Sequence, residues 1–190
     1  MCSFIRNTTV FVALIYILAP HSAKASDANP WEIWSQPGVH AMMRHAIAPG
    51  TGDPANFVIG DCETQRNLDD TGRNQARATG ERMREMGISL DFILSSQWCR
   101  CLETANLLGL GPVTGEPALN SFFRDSSTKK IQTDQIIDRL GALPEDSNVL
   151  LITHQVNITA LTGVYPRSGE IILIRLDDND VVKVLARLMP

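Results

Sequence analysis

Val39-His40-Ala41-Met42-Met43-Arg44-His45 runs directly into Ala46-Ile47-Ala48-Pro49-Gly50, and this stretch decides the fold. An apolar run ending in a Pro-Gly loop reads as a buried strand that delivers an arginine and a histidine to its carboxyl end. In open α/β sheets that edge is where ligands bind. The pattern recurs twice. Asp91-Phe92-Ile93-Leu94 is followed beyond Ser95-Ser96 by Arg100, and Val149-Leu150-Leu151-Ile152 by Thr153-His154. Two arginines and two histidines gathered on one sheet edge make a pocket for a doubly charged oxyanion, of which phosphate is the obvious example.

The segments between these strands read as helices. Asp70-Thr71-Gly72 opens one that reaches about Met86, with Thr71 as N-cap and Gly87 just past the end. A second runs from about Cys99 to Leu108 and stops at Gly109, a third covers Ile131 to Leu143, and a fourth begins at Asn157. Glu170 to Leu176 and Val181 to Leu188 form a hairpin signature around Asp177-Asp178-Asn179-Asp180. Strands alternating with helices predict an α/β layered sandwich with a central, mostly parallel sheet, which the closing hairpin makes mixed.

The amino terminus follows a different plan. A basic Met1 to Arg6, an apolar Val10 to Leu18 and the small-x-small Ala23-Lys24-Ala25 predict a secretory signal peptide over 1–25. The mature domain is then 26–190, in the periplasm or outside the cell. The apolar run falls short of the roughly 20 residues of a membrane span; an uncleaved anchor is the alternative. The net charge of −4 argues against nucleic acid as a partner. Of four cysteines, Cys2 leaves with the signal. Cys101 falls in line with Ala105 and Leu108 on an apolar stripe, so it reads as a buried thiol and Cys62-Cys99 as the disulfide. A redox-active Cys99-x-Cys101 is the competing reading.

Each residue type suits phosphate chemistry. Arginine offers a rigid, permanently charged fork that grips a phosphate bidentately, so Arg44 and Arg100 suit a clamp. Arg100 also lies in the first turn of its helix, where free N–H groups favour anions. A histidine is neutral and nucleophilic near pH 7. One attacking histidine ringed by three cationic or donor groups is sufficient for phosphoryl transfer, which depends mainly on positioning and charge stabilisation. No set of His, Cys, Asp or Glu shows metal-ligand spacing, so neither metal nor cofactor is expected. His40 reads as core, Trp98 as packing at the pocket rim, and Arg66 and Arg73 as solvated or salt-bridged.

Four motifs in order resemble the histidine phosphatase superfamily, which includes the phosphoglycerate mutases: Met43-Arg44-His45-Ala46, Leu68 through Gly72 to Gln75-Ala76, Ser95-Ser96 through Arg100 to Glu103-Thr104-Ala105, and Thr153-His154. The resemblance covers nearly all of the mature chain and implies a phosphoglycerate mutase-like fold. It implies that His45 is the nucleophile, carrying a phosphohistidine, while Arg44, Arg100 and His154 hold the phosphoryl oxygens. Gln155 stands where the phytase-like branch has its proton-donating aspartate, so the acid is sought in the loop before the third strand. Asp125 is the choice, with Glu116 and Glu63 as alternatives. Among small exported relatives the resemblance is to phosphatases of envelope sugars, such as the heptose phosphates of lipopolysaccharide core. The expected function is therefore an exported phosphomonoesterase acting on a small phosphorylated substrate. A phosphohistidine protein phosphatase and a non-catalytic phosphosugar-binding domain are the alternatives.

Overall fold

The computed structural model describes Met1 and residues 29–190; the proposed signal segment lies outside the described residues. Strands β1 (His40–Arg44), β2 (Phe92–Ser95), β3 (Val113–Gly115), β4 (Val149–Thr153), β5 (Ile171–Leu176) and β6 (Val182–Leu188) form one sheet in the order β3-β2-β4-β1-β5-β6. The first four are parallel, and β5 and β6 are antiparallel. The mixed, mostly parallel sheet agrees with the expectation. The sequence reading missed the edge strand β3, only three residues long, and the short helix α1 (Pro30–Trp34).

The remaining helices are α2 (Asp70–Glu85), α3 (Cys99–Leu108), α4 (Lys129–Gly141) and α5 (Gln155–Thr162). Two-residue alternation along the strands divides the core between the two sheet faces. Ala41, Met43, Ile93, Leu150 and Ile152 point towards Trp34, Met83, Ala105 and Leu108 of α1, α2 and α3. Met42, Leu94, Val149, Leu151 and Ile172 meet Ile136, Leu140 and Ile158 of α4 and α5. β4 is buried along its whole length, as a central parallel strand covered on both faces must be. Truncating Leu150 or Leu151 to alanine would cost about 2–5 kcal/mol.

Helix α2 begins at Asp69 rather than Thr71: the Asp69 carboxylate accepts a hydrogen bond from the Gly72 N–H at 2.7 Å and is the actual N-cap. Aspartate and threonine both cap well, so composition alone did not separate them. Gly87, with φ of 69°, follows the helix as expected. α4 starts two residues earlier than its apolar pattern suggested, because Lys129 and Lys130 complete a first turn that faces solvent. Among the described residues, no helix is long and apolar enough to cross a membrane.

Candidate active site

The carboxyl ends of β1, β2 and β4 lie side by side, with Arg44 opposite Thr153 and Ser95 opposite Ile152. This register brings His45, Arg44, Arg100 and His154 to one cavity of about 580 Å³. The four residues selected from sequence therefore converge. His45 and His154 are buried, their ring centroids 5.5 Å apart and their planes inclined by 69°.

Hydrogen bonds set the state of each ring. His45 Nδ1 lies 2.8 Å from the Ala46 carbonyl, which only an N–H can satisfy, so the lone pair is on Nε2. Burial, followed by the charge of Arg100, pushes the pKa of His45 well below the usual value. The ring is thus neutral, with a nucleophilic nitrogen facing the cavity. His154 Nδ1 faces Arg100 Nη2 at 3.3 Å, so its proton sits on Nε2 and is donated to Ser96 Oγ at 2.8 Å. Burial and then Arg100 depress its pKa too. Ser96 passes its own hydrogen bond to Asn120 Oδ1 at 3.2 Å.

The loop after β1 supplies a residue that the sequence reading missed. Asp53 accepts from Arg100 Nη1 at 2.7 Å and from Nη2 at 3.2 Å, and both side chains are almost wholly buried. Burial would raise the Asp53 pKa, but the hydrogen bonds and charge of Arg100 outweigh it and hold the carboxyl below its usual value. With its Nη1–Nη2 end fixed, Arg100 turns its other edge to the histidines: Nε donates to His45 Nε2 at 3.2 Å and Nη2 reaches His154. Trp98 Nε1 and the Arg66 backbone N–H also donate to Asp53. Within Gly50-Thr51-Gly52-Asp53-Pro54 an aspartate is ordinary turn chemistry, so the sequence carried no signal for this role.

Arg66 corrects another expectation. It is half-buried on the cavity wall, donating from Nε to the Gly52 carbonyl at 2.8 Å and from Nη1 to the Ala48 carbonyl, and is neither solvated nor salt-bridged. Arg73 does form the expected salt bridges, to Asp70 and Glu103. Arg44 donates from Nη1 to the Pro166 carbonyl, and its buried Nε finds no partner among the described residues.

Gln75, Thr104 and Gly72, from the second and third motifs, hold the site without entering it. Gln75 accepts from the Ile47 N–H at 3.0 Å and donates to the Ser168 carbonyl at 3.0 Å. Thr104 accepts from the Ala46 N–H at 3.1 Å and donates to the Arg100 carbonyl at 2.7 Å. Gly72 lets α2 touch the same loop: a Cβ there would lie 1.9 Å from the Ile47 carbonyl oxygen.

The candidate acids separate. Asp125 lines the cavity, but its carboxylate is exposed and accepts the Ser127 N–H at 3.0 Å, capping the turn Ser126–Thr128, which lowers its pKa. Glu116 and Glu63 lie off the cavity wall. Glu116 caps the turn Pro117–Leu119 and pairs with Arg139 at 3.5 Å, and Glu63 is exposed in the turn Cys62–Thr64. Cys62 and Cys99 form the expected disulfide, and Cys101 is buried, its thiol pushed up to about 12 by burial. With Cys99 committed and Cys101 held protonated, the redox Cys99-x-Cys101 reading does not fit. Among the described residues no three His, Cys, Asp or Glu side chains gather as metal ligands.

Comparison with known proteins agrees with this geometry. A model of the histidine phosphatase superfamily (branch 1) matches residues 42–123, a span that holds Arg44, His45 and Arg100 and stops short of His154. The mitochondrial serine/threonine-protein phosphatase Pgam5 of Drosophila grimshawi is 40% identical over 70 residues, and that of Drosophila virilis 42% over 70. Each alignment covers 37% of this chain, which spans about a quarter (24%) of those relatives' length. Among solved structures, the protein histidine phosphatase SixA complexed with tungstate superposes with a TM-score of 0.58 at 16% identity, covering 80% of this chain and 97% of SixA. A mycobacterial glucosyl-3-phosphoglycerate phosphatase complexed with VO3 gives 0.54 at 15% identity, covering 77% and 96%. The sheet order and layers are those of the phosphoglycerate mutase-like fold these structures share. The family model thus matches the part of this chain that carries Arg44, His45 and Arg100, and the likeness to the solved structures shows the fold.

Proposed function

We propose that the protein is a phosphomonoesterase that works through a phosphohistidine on His45. One observation carries the reading: a buried, neutral His45 on the cavity wall whose Nε2 keeps its lone pair and accepts from Arg100, with His154 beside it and Arg44 on the same wall. His45 Nε2 attacks phosphorus while Arg44 and Arg100 hold the equatorial oxygens, their charge and N–H groups matching what develops in the transition state, and His154, its one N–H given to Ser96, braces Arg100 through Nδ1. Water then releases phosphate from Nε2. The sequence of the amino terminus supports export as part of this reading. For the substrate, the resemblance in sequence suggests phosphorylated envelope sugars, and the likeness to SixA suggests phosphohistidine; the role of His45 is the same for either.

The test is turnover of p-nitrophenyl phosphate with and without chelator. Turnover unaffected by chelator and abolished in His45→Ala is expected. Loss of turnover on chelation, restored by one divalent ion, would replace the histidine mechanism with a metal-dependent one. Phosphate binding without turnover would leave a phosphosugar-binding domain.

A further inference from the structure

The cavity has two unlike parts. Its floor is the arginine–histidine cluster. Its wall and rim carry Phe57, Trp98, Phe123, Ile131 and Tyr165. Trp98 is buried and stacks on Phe57 with ring centroids 4.7 Å apart. Phe123, Ile131 and Tyr165 are 57%, 58% and 68% exposed, three of the most exposed large apolar side chains of the described residues, and all three line this cavity. Exposed apolar groups around a concave polar floor mark a ligand site. The volume of about 580 Å³ leaves room for much more than a phosphoryl group.

Among the described residues, the wall also carries no carboxylate placed to donate a proton. The two acidic residues on it are Asp53 and Asp125. Both oxygens of Asp53 are occupied by Nη1 and Nη2 of Arg100. Asp125 is exposed, and the turn it caps through Oδ1 holds its carboxyl below the usual value, ionised and without a proton to give. An alcohol leaves as an alkoxide of very high basicity, near that of hydroxide, whose parent water ionises at about 15.7. A phenol ionises at about 10 and departs with its electron pair unassisted.

From these two features we propose that the natural substrate is an aryl phosphate, its ring seated among Phe57, Phe123, Ile131 and Tyr165 and its phosphoryl group on the floor. This inference rests on the phosphohistidine mechanism proposed above and names an aryl phosphate in place of the sugar phosphate and phosphohistidine substrates suggested there. His45 Nε2 forms the N–P bond as the P–O(aryl) bond breaks, and the phenolate takes the electron pair and a proton from solvent. Water then attacks phosphorus, the N–P pair returns to Nε2, and the proton of the water leaves with the phosphate.

The experiment measures kcat/KM on phenyl phosphate, ring-substituted phenyl phosphates, a phosphotyrosine peptide, glycerol phosphate and glucose 6-phosphate. General-acid assistance is worth about 10²–10⁴-fold, so aryl phosphates should exceed the alkyl phosphates by at least about 10². Among aryl phosphates, rates should climb as the phenol becomes more acidic. A peptide faster than phenyl phosphate would place the ring on a protein, and a slower one on a small molecule. Phe123→Ala and Tyr165→Ala should raise KM for phenyl phosphate about threefold to tenfold each with kcat little changed, while Tyr165→Phe restores it, since the ring and not the hydroxyl is used. Alkyl phosphates within tenfold of phenyl phosphate, or rim variants with unchanged KM, would overturn the inference while leaving the role of His45 intact. Absence of turnover on every substrate would instead remove the phosphatase reading beneath it.

Discussion

Asp53 and Arg100 show how a single residue sets the chemistry of another. An arginine alone among two histidines has several ways to lie; a buried carboxylate on one end leaves it one. Removing one partner of a buried pair costs about 3–5 kcal/mol, because the remaining charge is stranded. Asp53→Ala should therefore lower stability by that order, checked by denaturant unfolding. Asp53→Asn keeps the shape and part of the hydrogen bonding. It should raise KM for p-nitrophenyl phosphate more than it lowers kcat, and inhibition by free phosphate should weaken in parallel. Unchanged phosphate affinity would mean that Asp53 braces the loop and does not orient Arg100. His45, Arg44, Arg100 and His154 were legible because each follows a strand in a recognisable order, so their meeting depended only on the sheet. Asp53 and Arg66 come from the loops after β1, where side-chain direction is set by contacts between segments far apart in sequence. No pattern within those loops announces it.

At the scale of elements, the loop after β1 is tied down from three sides: by Gln75 of α2, by Thr104 of α3 and by the Cys62–Cys99 disulfide, which joins it to the helix carrying Arg100. The strands, the main helices and the hairpin were readable, since each has a clean period of two or of 3.6. β3 was too short to show a period, and the boundaries moved wherever a cap or a charged first turn extended an element. Gly72 was quoted as a motif residue, but its reason is visible only in the packing. Gly72→Ala must push α2 off the Ile47 carbonyl, and overpacking of this kind costs about 1–3 kcal/mol. Thermal unfolding of the variant should show that loss together with reduced turnover, because the displaced loop carries Ala46, the hydrogen-bond partner of His45. The disulfide closes a loop of sequence separation 37. In the chain-entropy model that is worth about 4 kcal/mol. Cys62→Ser should lower Tm by about 10 °C. A shift under 2 °C would mean the loop is held without it.

For the whole molecule, the cost of burying histidines appears as a dependence of stability on pH. Burial holds His40 at about 4, with Arg175 adding to the effect, and His45 and His154 also lie well below their usual value. In each case the unfolded chain takes up a proton near 6.5 while the folded chain does not. Stability is then full above about pH 6.5 and falls as pH drops below it, each histidine contributing up to about 1.4 kcal/mol per pH unit. Tm measured from pH 8 to pH 5 should be flat and then decline, and His40→Gln should remove about a third of the slope without altering the activity profile. A Tm that rises on acidification would contradict the neutral assignment of these rings. The same neutrality lets His45 act as a nucleophile into mildly acid solution.

The central claim is that His45 becomes phosphorylated, and trapping that species tests it most directly. Protein exposed briefly to a ³²P-labelled aryl phosphate and quenched in alkali should carry a label that survives base, is lost in acid, and maps to the peptide containing residue 45. His45→Ala, folded by circular dichroism, should carry none. Turnover by the wild type with no trapped label, or an acid-labile label that persists in His45→Ala, would contradict the account.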